Sequence, residues 1–193
     1  MKKHVIIVHG YRGKPETNWK PWLRRELEKT KGMKVDVPEM PNTDYPLATE
    51  WVTMLAETVG EPTRNTYLIG HSLGCITILR YLETLNEGQK IGGAILVAGF
   101  GERFQRYQSG SHDTFFDHEL DWPRIRDHCN DFVAIHSEDD LAVDAAQLDL
   151  FAGKLGAKPL LEHGFGHFGS ADGALEIPLV RDELLAMVDR QGQ

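Results

Sequence analysis

The chain of 193 residues carries only two cysteines, Cys75 and Cys129, too few for a disulfide framework, so a reducing cytoplasm is its expected address. No stretch approaches the roughly 18 consecutive apolar residues of a membrane span. The amino terminus starts with two lysines before an apolar run, as a secretory leader does. That run, Val5 to Val8, stops at a glycine turn after four residues and reads as a first strand. Positive charge is outnumbered, 21 Lys and Arg against 29 Asp and Glu: the net charge of −8, with acidic residues spread along the chain, argues against a nucleic-acid footprint and gives no support to binding an anionic membrane surface through basic residues. No Pro/Gly/Ser-rich linker, internal repeat or low-complexity tract divides the sequence. Residues 1–193 are therefore expected to fold as one domain whose partners are small molecules.

What is present is an alternation of strand and helix patterns. Residues 4–8 form a near-continuous apolar run, the sign of a strand buried on both faces, and Met33 to Val37 forms another before Pro38. Between them Pro21 opens a helix over Trp22 to Lys31, with Trp22, Leu23 and Leu27 on one side. Leu47 to Val59 repeats its large apolar residues every fourth position at Trp51, Leu55 and Val59, and Gly60 closes it. Further strands are expected from Thr66, over Gly93–Ala98, over Phe132–His136 and, at an edge, over Lys158–Leu161. Further helices are expected from Cys75 on, over Ala145–Leu155 and over Leu175–Val188. Such alternation predicts an α/β fold: a doubly wound, mostly parallel sheet of about six strands with helices on both faces. Its ligands would bind beyond the carboxyl ends of the strands.

The stretch around which this is organised is Gly70-His71-Ser72-Leu73-Gly74, a Gly-x-Ser-x-Gly pentapeptide entered from the apolar run Tyr67-Leu68-Ile69 and followed by a helical pattern. Strand, tight turn and helix make a nucleophile elbow, in which Ser72 stands clear of the strand end. A serine hydroxyl is a poor nucleophile at neutral pH and needs a base in hydrogen-bond reach and a carboxylate to orient that base. In the α/β-hydrolase plan these follow in the order Ser, acid, His, each on a loop after a later strand. Glu138-Asp139-Asp140 follows the fifth strand, offering Asp140 as the acid with Asp139 as its neighbouring alternative. His163-Gly164-Phe165-Gly166-His167 follows the sixth, and His167, out on the glycine-rich loop, is preferred as base to His163, which directly ends the strand. The backbone N–H groups of Tyr11 and Leu73 would face the oxyanion of a tetrahedral intermediate, with His9 holding the turn at Gly10.

From His9-Gly10-Tyr11 through Trp19-x-Pro21-Trp22-Leu23, the elbow, Trp122-Pro123-x-Ile125, Asp139-Asp140 and Gly166-His167-Phe168, the chain resembles a family of small serine hydrolases. That family includes bacterial YdeN-type proteins and relatives of retinoblastoma-binding protein 9. The resemblance implies a minimal α/β-hydrolase fold without a large cap domain, with Ser72, Asp140 and His167 as its catalytic triad. The substrate expected of such an activated serine is a small-molecule ester or amide, bound as an acyl-enzyme on Ser72. The resemblance also favours Asp140 over Asp139. One departure is Asp144, which stands where relatives often have proline.

The long segment from Phe100 to Pro123 shows no clean periodicity and follows a strand whose carboxyl end should border Ser72, so it is placed to cover the site. Its aromatics, Phe104, Tyr107, Phe115, Phe116 and Trp122, suit either the wall of an acyl or aryl pocket or the ordinary core. The cluster His112–Glu119 contains zinc-ligand residue types, but an irregular acidic surface loop is the commoner reading, and serine chemistry asks for no metal or other cofactor. Gly10-x-x-Gly13-Lys14 lacks phosphate-loop spacing. The reading opposed to a hydrolase is a non-catalytic module that keeps the fold and holds a ligand or protein; the intact Ser, Asp, His set speaks against it.

Overall fold

The computed structural model describes residues 2–104, 110 and 112–191. Six strands form one sheet: β1 (Lys3–Val8), β2 (Met33–Asp36), β3 (Thr66–His71), β4 (Gly93–Val97), β5 (Phe132–Ser137) and β6 (Lys158–Glu162). Their spatial order is β2-β1-β3-β4-β5-β6 and every neighbouring pair is parallel. Parallel neighbours require crossovers, and these are the helices α1 (Lys20–Glu28), α2 (Ala48–Val59), α3 (Leu73–Thr84), α4 (Trp122–His128) and α5 (Gln147–Leu155), with α6 (Pro178–Arg190) closing the chain. Helices on both faces explain why β3, β4 and β5 are buried at every position. In β1, Val5 and Ile7 pack beneath α1 and α6, while Ile6 and Val8 pack beneath α2 and α3.

The order reverses between β1 and β3, which places a crevice past their carboxyl ends. Tyr11 follows the first of these strands and Ser72 the second. No large cap domain stands over these ends among the described residues.

Several boundaries differ from the sequence pattern. Helix α1 begins at Lys20, with Pro21 in its first turn, and ends at Glu28 instead of Lys31. Helix α5 begins two residues late because Asp144 makes the preceding turn: its carboxylate accepts from Ala146 N at 3.0 Å and its carbonyl from Gln147 N at 3.0 Å. An Asx turn thus makes the bend before α5. Helix α6 starts at Pro178 instead of Leu175, which is exposed. Helix α4 was not anticipated; seven residues are too few for an apolar period, although Asp121, whose carboxylate accepts from Arg124 N at 3.0 Å, followed closely by Pro123 is a start signal.

Much of the Phe100–Pro123 segment is tied down. A single 3₁₀ turn, Asp113–Phe116, lies against α2 and α3. Arg80 of α3, almost fully buried, donates to the carbonyls of Phe115 (2.9 and 3.1 Å) and His118 and pairs with Glu83 at 2.9 Å. Phe115 is completely buried, edge-on to Trp51 at 5.9 Å, while Phe104, Phe116 and Trp122 are partly buried against the same core. Tyr107 lies outside the described residues. Phe116 and Trp122 also line a cavity of about 560 Å³ with Gly101, Arg103 and Lys154; Ser72 is not among its lining residues.

Candidate active site

Strand β3 ends at His71 and α3 starts at Leu73, so Ser72 alone makes the turn, with φ 53° and ψ −118°. A positive φ is strained for a serine, by about 1–3 kcal/mol. It persists because the surroundings hold it: Ser72 N donates to Val97 O at 2.9 Å, and Cys75 N donates to Ser72 O at 2.9 Å. The turn fits only beside residues without side chains. A Cβ on Gly74 would collide with the carbonyl oxygen of Val8, and one on Gly10 would come within 2.9 Å of Ser72 Cβ. The β1 turn is thereby pressed directly against the serine.

His167 and Asp140 arrive from the loops after β6 and β5. Ser72 Oγ lies 2.9 Å from His167 Nε2, and His167 Nδ1 lies 2.8 Å from Asp140 Oδ2. A carboxylate only accepts, so the proton sits on Nδ1 and leaves Nε2 free to take one from the serine. Asp140 is 3 % exposed, and its Oδ1 accepts from Ala142 N at 2.7 Å and Val143 N at 3.0 Å. His167 and Ser72 are partly buried and face outward.

The alternatives lie elsewhere. His163 is exposed and 3.5 Å from Glu138. Asp139 is exposed and turns to the loop that carries His167, where its Oδ1 accepts from Ser137 Oγ, Gly164 N (3.0 Å) and Gly166 N (3.3 Å). Those hydrogen bonds hold its carboxyl below the usual range, the Ser137 hydroxyl being the largest influence.

Residues that pattern reading passed over complete the setting. Asp172 Oδ2 accepts from His167 N at 3.1 Å and Gly169 N at 3.0 Å. Asn18 ties the loop after β1 to the loop that carries His167, its N–H donating to Ser170 Oγ at 3.2 Å and its Oδ1 accepting from Ser170 N at 2.9 Å. His9 is fully buried; Nδ1–H donates to Gly10 O at 2.9 Å and Nε2 accepts from Met40 N at 3.1 Å. Burial lowers its pKa below the ordinary imidazole value, in keeping with that neutral arrangement. Tyr11 follows Gly10 at the surface, its ring 5.6 Å from that of His112, and Leu73 is the first residue of α3. Lys20 is wholly buried under the same loop, with one hydrogen bond to Thr17 Oγ1 at 3.4 Å, and its pKa is lowered by burial to about 8.

A parallel sheet of this order, with a strained serine after β3, an aspartate after β5 and a histidine after β6, defines an α/β-hydrolase fold. The sequence pattern of the Serine hydrolase family matches residues 5–186, and the chain belongs to that family. It is 34% identical over 192 residues to YdeN of Bacillus subtilis (strain 168), covering 99% of each chain. It is 27% identical over 175 residues to the serine hydrolase RBBP9 of Rattus norvegicus, covering 88% of this chain and 89% of the other. The crystal structure of the ydeN gene product from B. subtilis superposes with a TM-score of 0.88 at 31% identity, over 97% of this chain and 100% of that one.

Proposed function

We propose that this protein hydrolyses small carboxylic esters, and amides more slowly, through an acyl-enzyme on Ser72. The observation that carries this reading is the unbroken chain of hydrogen bonds from Ser72 Oγ through His167 to Asp140, on a serine held in strained backbone at the switch point of the sheet. His167 Nε2 takes the hydroxyl proton as Oγ attacks the ester carbonyl. Asp140 holds the ring in the required tautomer and stabilises the imidazolium that forms. The N–H groups of Tyr11 and Leu73 donate to the oxyanion; Gly10 presses the first against Ser72, and the second opens α3, whose dipole adds positive potential there. The imidazolium then returns its proton to the leaving alkoxide. Water, deprotonated by His167, attacks the acyl group and regenerates Ser72. An amine leaves less readily than an alkoxide, which ranks esters above amides.

The test is labelling with a fluorophosphonate, which reacts with a serine whose base and oxyanion donors are assembled, together with turnover of chromogenic esters of rising acyl length. The parent should be labelled and turn over short esters, and Ser72→Ala should do neither while keeping its fold. An unlabelled, inactive parent would favour the binding-module reading, and full turnover by Ser72→Ala would remove Ser72 as nucleophile.

A further inference from the structure

We propose that His71 is a positioning residue, which hangs the main chain of the base loop from the strand that ends in the nucleophile. The proposal rests on the reading of Ser72 and His167 as nucleophile and base. His71 Nε2 lies 2.8 Å from the carbonyl oxygen of His167. A carbonyl only accepts, so Nε2 carries the proton and donates. The other end of that same peptide unit, Phe168 N–H, donates to Phe165 O at 2.8 Å. Both polar groups of the peptide are therefore fixed, and the N–H of His167 on its other side is held by Asp172 at 3.1 Å.

This peptide needs holding. Phe168 has φ 55°, a conformation costly for an aromatic residue, and its fully buried ring stacks on Phe165 at 5.3 Å and 11°. The ring of His71 fills the space between Trp19, edge-on at 6.0 Å, and His167 at 5.2 Å. A purely space-filling ring would have no reason to spend its one proton on the base residue's own carbonyl. Because His71 adjoins Ser72 in the chain, the link fixes the height of the base relative to the nucleophile across two covalent neighbours, without relying on the long path through β5 and β6.

The charge state fits this task. Burial comes first, and a charge on the ring would also be opposed by the neighbouring His167, Lys20 and His9 by more than the His167 carbonyl favours it, so the pKa of His71 lies well below the ordinary imidazole value. His71 therefore keeps its single proton on Nε2 when His167 becomes cationic during turnover, and adds no charge of its own against that step.

The experiment compares His71→Gln with His71→Met, side chains of nearly equal length of which only glutamine can donate. With a chromogenic ester, His71→Met is expected to lose about 10- to 100-fold in kcat, the scale set by small misplacements of catalytic groups, with KM within about threefold. His71→Gln should recover to within about fivefold of the parent at a similar melting temperature, since the donor is restored. Normal kcat in His71→Met, or a glutamine variant no better than methionine, would overturn the proposal. Nitrogen-15 NMR of the histidine rings in the parent at neutral pH supplies a readout independent of turnover and of variant folding. A neutral ring protonated on Nε2 is expected for His71; the other tautomer or an imidazolium would also overturn it. A parent inert to fluorophosphonate would count against the hydrolase reading instead.

Discussion

His163 and His167 sit four residues apart on one loop and meet opposite surroundings: the first is exposed beside Glu138 at 3.5 Å, the second bridges Ser72 and Asp140 at 2.9 and 2.8 Å. Removing the bridging ring takes away the acceptor for the serine proton. His167→Ala should therefore lower kcat by about 10⁴-fold or more, because members of such a set act as a unit. His163→Ala should stay within about twofold, since its contact with Glu138 is exposed to solvent and screened. Steady-state rates on one ester settle the comparison, and the reverse ranking would move the base to His163.

The strands and the elbow were legible in sequence because both are local. Val5–Val8 and Tyr67–Ile69 are apolar at every position since helices cover both faces, and the pentapeptide at Gly70–Gly74 is a turn whose neighbours lie within a few residues. The Ser72, Asp140 and His167 side chains do converge as the order of loops suggested. What escaped were roles made by contacts far apart in the chain. Arg80 meets Phe115, His71 meets the carbonyl of His167, and Asn18 meets Ser170, and no periodicity records such pairs. His71 occupies a variable place in the motif, so pattern alone gave it no task.

Acid should weaken the fold before it protonates most carboxylates. His136 is fully buried near the end of β5, and burial lowers its pKa from 6.5 to about 4, outweighing the nearby Asp140 and the main chain of Gly99, which raise it. His9 and His71 are shifted in the same direction, burial again being the largest cause. Above pH 6.5 neither the folded nor the unfolded chain protonates these rings. Below it the unfolded chain takes up protons that the folded chain refuses, so stability falls as the pH drops from about 6.5 towards 4, by about 3 kcal/mol for His136 alone. Urea unfolding at pH 7, 6 and 5 measures the slope. His136→Leu, which leaves no ring nitrogen buried, should hold stability at pH 7 and flatten the slope; an unchanged slope would mean that His136 contributes none of it.

Arg80 is expected to matter more for stability than any surface cation. Its guanidinium fastens the 3₁₀ turn to α3 through Phe115 and His118 and is paired with Glu83, both side chains nearly buried. Breaking a buried pair leaves the other charge unmatched, at about 3 kcal/mol, so Arg80→Met should lower the melting temperature by about 6–12 °C. Adding Glu83→Leu should recover part of that loss, since the orphaned carboxylate is gone. A double variant less stable than the single one would show that Glu83 serves Asp121 N, which it accepts at 2.7 Å, more than Arg80.

Asp139 and Asp140 give the sharpest comparison, because adjacent carboxylates serve different parts of one assembly. Asp140 Oδ1 is occupied by the N–H groups of Ala142 and Val143, and Oδ2 by His167 Nδ1–H. In Asp140→Asn the two backbone donors retain the amide oxygen, which forces the NH₂ towards His167. Facing a donor, the ring must shift its proton to Nε2, and it can then no longer accept from Ser72; kcat should fall by about 10⁴-fold with the fold unchanged. Asp139 Oδ1 instead gathers Ser137 Oγ–H and the N–H groups of Gly164 and Gly166, and the residue is exposed. Asparagine keeps the accepting oxygen and points its NH₂ outward, so Asp139→Asn should remain within a few-fold of the parent. Asp139→Ala removes the acceptor, frees the base loop and should cost about tenfold in kcat, since His167 is then less well placed. If Asp139→Asn were crippled and Asp140→Asn nearly normal, the carboxylate that orients His167 would be Asp139, and the loop would adopt a different register during turnover.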